Sequence, residues 1–144
     1  MNAKDIVCFA KDIRETCMTK DPFALCEAFG IHVVIQPSSI RGFKAHTIQM
    51  EGYPTVISIN GAYTEESQAV LCAHELGHAL LHRGRLINYF DNVRAKDIHT
   101  KYEYEANLFA LALLSCEEDF NIPFVEMSDS VVKYVLDYNI HLKE

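Results

Sequence analysis

The stretch AVLCAHELGHALLH, Ala69 to His82, constrains the fold more than any other part of the chain. It is apolar nearly throughout, as a helix buried on most sides would be, yet His74, Glu75 and His78 sit in its middle. Burying ionisable groups costs several kcal/mol unless something pairs with them. Any fold of this chain must therefore supply a partner for two imidazoles and a carboxylate. Residues four apart on a helix share a face, so His74 and His78 can hold one metal ion from adjacent turns. Glu75 lies roughly 60° further round from His78. From there it reaches a water beside the ion rather than the ion itself. Zinc hydrolases divide the work this way: histidines hold the metal, and a glutamate takes the proton from water.

H-E-x-x-H alone is suggestive, since chance gives it in roughly 0.03 of chains with this histidine and glutamate content. Its place in an apolar helix strengthens it, and so does Gly77, which would let another backbone come close. Two plainer readings are weaker. Two core histidines with local hydrogen bonds would leave the apolar flanks unexplained. A structural zinc site is usually closed and rich in cysteine. Here the five cysteines are odd in number, include no C-x-x-C pair and none at a suitable spacing. Reduced, buried thiols of a cytosolic protein are the expectation for them.

A catalytic zinc needs a third protein ligand and an open position. His82 follows His78 by four residues, but it stands about 12 Å along the axis from His74, so three successive turns do not converge on one ion. The better candidates lie in YEYEANLFALALL. Glu103 shares a face with Ala106, Asn107, Ala110 and Leu114, small residues among them that allow close packing on the metal helix. Glu105 points roughly opposite, with Leu108, Phe109 and Ala112. Glu103 is therefore preferred over Glu105, though either also suits an ordinary helix N-terminus. Asn107 is placed to orient a histidine or glutamate through its amide.

The rest of the chain predicts an α+β fold. Residues 4–19 have apolar positions at helical spacing. DPFALCEAFG predicts a second helix with Asp21 as N-cap, Pro22 in the first position and Gly30 at the end. Strands are expected at 31–35, within GFKAHTIQM and at 55–59, separated by QPSS and EGYP and closed by Asn60-Gly61. Their connections are too short for crossover helices, so a small antiparallel sheet is expected. Thr64 should cap the motif helix, which runs to about Gly84. Residues 85–99 read as loop and about 101–114 as a second apolar helix. Pro123 breaks the chain, and Ser128 caps a last helix to about Asn139.

The 144 residues predict a single domain, and the formal net charge of −7 argues against a nucleic-acid-binding face. The N-terminus has no apolar signal core, and no run of 18 apolar residues predicts a membrane span. A cytoplasmic protein is the simplest expectation.

LCAHELGHALLH followed by YEYEANLFALALL resembles the ImmA/IrrE metallopeptidases, whose pattern is an H-E-x-x-H helix and a downstream E-x-x-A-N-x-F-A helix. Glu103, Ala106, Asn107, Phe109 and Ala110 match the second part residue for residue. DPFALCEAFGIHV and GFKAHTIQMEGYPTVISIN are similar to the family's lead-in helix and strands. The resemblance covers roughly residues 4–114, with 115–144 as a C-terminal helical segment. It implies a compact zincin-like metallopeptidase domain, with Zn²⁺ held by His74, His78 and Glu103 and with Glu75 as general base. It also implies a protein substrate, a helix-turn-helix repressor whose cleavage derepresses genes of a mobile element or a stress response. Two departures stand out. The family's Leu-Leu-Met-Pro is Leu113-Leu114-Ser115-Cys116 here, and the short C-terminal segment leaves no room for the DNA-binding or sensor domains of some relatives. A zinc-binding module that grips a partner without cutting it is the alternative. Tyr89, His99 and Tyr102 are weak candidates for stabilising an oxyanion, and an edge strand within 43–59 is a candidate for holding an extended substrate.

Overall fold

A computed structural model describes residues 1–37, 43–83 and 95–144. It is an α+β fold of, among the described residues, five helices and a three-stranded mixed sheet. Helix α1 spans Ala3–Thr16 and buries Ile6, Val7, Ala10 and Ile13. Asn2 and Asp5 close a reciprocal capping box at its start. It ends three residues earlier than the apolar spacing predicts, because Met18 turns into the left-handed region at φ 57°. No glycine marks that turn.

Helix α2, Pro22–Ala28, follows its sequence signals closely. The Asp21 carboxylate accepts from the Phe23 amide, and Gly30 takes φ +72° just past the end. The amides of Gly30 and Ile31 then close on the carbonyls of Glu27 and Cys26, a Schellman ending that needs a residue free to adopt positive φ.

Strands β1 (His32–Gln36), β2 (Ala45–Ile48) and β3 (Val56–Asn60) lie in the order β1-β3-β2. β2 pairs antiparallel with β3, as short connections require, but β1 pairs parallel with β3, Ile35 opposite Ile59. The expected antiparallel sheet is therefore corrected to a mixed one. The connection-length argument holds for consecutive strands, and β1 does not pair with its successor. β2 takes the far side of β3, which leaves β1 aligned with β3. Gly61 donates to the Gln36 carbonyl at this junction, and a Cβ there would stand 2.5 Å from that oxygen.

Helix α3, Glu65–Leu81, starts at the Thr64 cap, whose hydroxyl accepts from the Ser67 amide. Helix α4, Ala95–Leu114, begins well before 101, so the loop expected over 85–99 is corrected to helix from Ala95. The remainder of that expectation, 85–94, lies outside the described residues. Arg14 of α1 donates to the carbonyls of Leu113 and Ser115 at 3.1 and 3.3 Å. It thereby satisfies carbonyls that the end of α4 leaves without helical partners. Two single 3₁₀ turns lead to α5, Asp129–Tyr138, capped by Ser128 as predicted.

The core lies where α1, α3, α4 and the sheet meet, around the fully buried Leu76, Phe109, Ile57 and Ile59. Behind α5 the chain returns to the start of α3. The Thr64 amide donates to the His141 carbonyl and the Lys143 amide to Ala62, while the buried Ser67 hydroxyl bonds to the Asn139 carbonyl and the His141 amide. Of the cysteines, Cys26 and Cys72 are buried with sulfurs 3.7 Å apart. The hydrogen bond with Cys26 and then burial keep the Cys72 thiol protonated. Cys8 and Cys116 are exposed, which corrects the expectation of burial for those two. Among the described residues no helix is long and apolar enough to cross a membrane.

Candidate metal centre

The site forms where α3 and α4 approach most closely. Gly77 makes that approach possible: a Cβ there would meet Ala106 Cα at 3.1 Å and the Ala106 oxygen at 3.2 Å. With the two backbones in near contact, side chains from both helices converge one turn further along. His74 and His78 present their Nε2 atoms to one carboxylate, at 3.1 Å from Glu103 Oε2 and 2.9 Å from Glu103 Oε1. The two rings meet edge-on, with centroids 4.7 Å apart.

One donor atom from each of His74, His78 and Glu103 lies within 4.8 Å of the others. Two imidazoles and a carboxylate are the donors that Zn²⁺ accepts in open sites, so the set fits such an ion. Among the described residues no other group of three such side chains does this. Glu105, the alternative candidate from the same helix, is not in the set.

Opposed forces act on the protons here. Burial favours the neutral form of His74, but hydrogen bonds to Glu103 and Asn107 and the charges of Glu75 and Glu103 outweigh it, and its pKa is raised. Burial would lift Glu103, but its hydrogen bonds with His74 and His78 hold it well below the usual carboxylate range. Asn107 thus bonds to His74 from the Glu103 face of α4.

The Glu75 side chain reaches β2 and lines the same cavity as His74 and Glu103. It is buried, and the Thr47 hydroxyl donates to its Oε2 at 2.8 Å. β2 runs along α3, with Gln49 reaching the Ala79 carbonyl two residues further on. Thr47 was not legible as a site residue: nothing in a β-strand threonine announces which helix it will face.

A cavity of about 260 Å³ opens beside the site, lined by His74, Glu75, Glu103 and Asn107, by Ala45 of β2 and by Lys133 of α5. The α5 wall is a second feature that helical periodicity does not reveal. Tyr102 does not line this cavity. It stacks on His82 behind α3, with centroids 4.1 Å apart. His99 is exposed, and Tyr89 lies outside the described residues. His82 is buried and contacts His78 and Glu105 rather than Glu103. Burial is the largest influence on His82 and lowers its pKa in spite of Glu105.

A peptidase family model described as the IrrE N-terminal-like domain matches residues 26–136. "Uncharacterized immunity region protein 2" of Bacillus phage phi105 is 32% identical over 96 residues, which cover 67% of this chain and 59% of that protein. The chain thus spans about three-fifths of the length of that relative. No solved structure matches.

Proposed function

The chain belongs to the IrrE N-terminal-like family of peptidases, and from that premise we propose that it is a zinc-dependent endopeptidase acting on a protein substrate. The observation that carries the reading is the convergence of His74, His78 and Glu103 donor atoms beside an open cavity, with Glu75 at its wall. In this reading those three side chains hold Zn²⁺ and Glu75 is the general base. Zinc in that position supplies Lewis-acid activation of water and of the scissile carbonyl.

The remaining work falls to the chain's own groups. Thr47 holds one oxygen of Glu75 and leaves the other to take the proton from the attacking water. The same carboxyl then returns that proton to the departing amine. Asn107 keeps the His74 ring in place. β2 is the sheet edge nearest the cavity, and Ala45 lines it. An extended substrate segment adds to that edge and so lies across Glu75.

The printed name of the relative concerns a phage immunity region. This supports a repressor as the substrate class, and a helix-turn-helix repressor encoded near this chain is the first to test. The experiment is incubation with that repressor, with zinc or with chelator, followed by mass analysis. Fragments that appear with zinc and vanish with chelator and in Glu75→Gln support the reading. Intact repressor in every arm, with zinc bound, would replace cleavage by a gripping module. A Glu75→Gln chain that still cuts would remove Glu75 from the mechanism.

A further inference from the structure

The proposed ligand set leaves a second buried pair unused. His82 is 1% exposed and Glu105 9%. His82 Nε2 lies 2.9 Å from Glu105 Oε1, and His82 Nδ1 lies 3.0 Å from His78 Nδ1. Tyr102 stacks on the His82 ring with planes 20° apart and so limits its rotation. These contacts join Glu105, His82 and His78 into one chain that ends at His78 Nε2, the atom facing Glu103.

The chain has a direction. A carboxylate only accepts, so the proton between Glu105 and His82 sits on His82 Nε2. A neutral His82 then offers a lone pair at Nδ1, an acceptor for the Nδ1–H that His78 carries when its Nε2 is bound to metal. His78 Nε2 faces the Glu103 carboxylate, which also only accepts, so it holds a proton until a metal replaces it; the proton the ring then keeps is on Nδ1, toward His82. A metal-binding histidine usually donates its other N–H to a carboxylate or a carbonyl. Here an imidazole stands in that place and passes the influence of a carboxylate one ring further.

We infer that His82 and Glu105 are positioning residues that accept the Nδ1–H of His78 and so favour the tautomer whose Nε2 binds the metal. The inference rests on the reading of His74, His78 and Glu103 as zinc ligands. It also assigns separate tasks to the two glutamates of α4: Glu103 binds, and Glu105 orients from one turn of α3 further along.

The test is zinc affinity of the full chain, measured by competition with a chromophoric chelator. His82→Phe keeps a ring against Tyr102 and removes both nitrogens, and is expected to bind zinc about 10–100-fold more weakly. His82→Asn loses the ring but restores an acceptor near the Nδ1 position, and is expected within about threefold of wild type. A role in packing alone predicts the reverse order, with Phe the better replacement. That reverse order, or a His82→Phe chain as tight as wild type, would overturn the inference. Should His82→Phe fail to fold, near-isosteric Glu105→Gln carries the test, with at least about threefold weaker binding expected and no change overturning it. Failure of the underlying reading looks different. A wild-type chain that retains no zinc removes the ligand set and this inference together, whereas zinc-binding wild type with unaffected variants removes this inference alone.

Discussion

Glu103 serves two imidazoles at once, and that sharing ties the site to pH. His74 has its pKa raised above its ordinary 6.5, so its contribution to stability is complete below that value and is lost as pH rises through the raised one. Glu103 is depressed below its ordinary 4.5, so its contribution is present above that value and is lost as pH falls through the depressed one. The metal-free chain therefore gains most from the pair between about pH 4.5 and 6.5. Zinc needs the neutral imidazole, and its affinity climbs as pH rises through the same group. We predict opposite slopes as pH rises above about 6.5: zinc binds more tightly while the melting temperature of the metal-free chain, relative to Glu103→Gln, declines. Parallel slopes in titration and melting would contradict the pairing. At this scale much was legible. The spacing of His74, Glu75 and His78 follows from helix geometry, and the choice of Glu103 from the small residues beside it. Thr47 and the His82–Glu105 contact were not. Helical periodicity says which residues share a face, but not which strand or neighbouring turn that face will meet.

The close crossing of α3 and α4 governs the elements. Gly77 is costly in isolation, since glycine in a helix interior gives up about 1 kcal/mol relative to alanine. The structure requires it because Ala106 Cα would stand 3.1 Å from a Cβ, and Ala106 and Phe109 are both fully buried with little room to give. We predict that Gly77→Ala loses more from that contact than it gains from propensity, with a net loss of about 1–2 kcal/mol in denaturant unfolding. Zinc retention should fall with it, because moving α4 moves Glu103. An unchanged midpoint would show that α4 shifts freely. The sequence motif predicts a close approach at Gly77, and the structure supplies the partner. The parallel β1–β3 pairing and the early start of α4 were less accessible. The first depends on β2 taking the far side of β3, and the second on a turn of mixed residues whose helicity comes from the apolar run that follows.

For the whole molecule, the proposed ligands join separate parts of the chain. His74 and His78 lie in α3 and Glu103 in α4, with the Thr47 strand and the α5 wall on either side of the cavity. An ion that binds this folded arrangement and not the open chain stabilises it by mass action, by about 2.7 kcal/mol when free metal is a hundredfold above its dissociation constant. For a chain of this length we predict a rise of roughly 10 °C in melting temperature on adding zinc, reversed by chelator. A melting temperature indifferent to zinc would count against the centre. The C-terminal return, where Thr64 and Ala62 bond to His141 and Lys143, holds α5 to the start of α3. The cavity wall should therefore melt together with α3 and α4 and not before them.

The sheet edge beside the cavity carries a last consequence. β2 is four residues long, and an incoming strand must offer it unpaired amides and carbonyls. A helix has none to offer, because its own turns consume them. A folded helical domain would thus be invisible to this edge, and only a linker or a locally melted segment could be read. In the proposed peptidase, control over cutting would then reside in the target's own order, so that whatever loosens the target also exposes it.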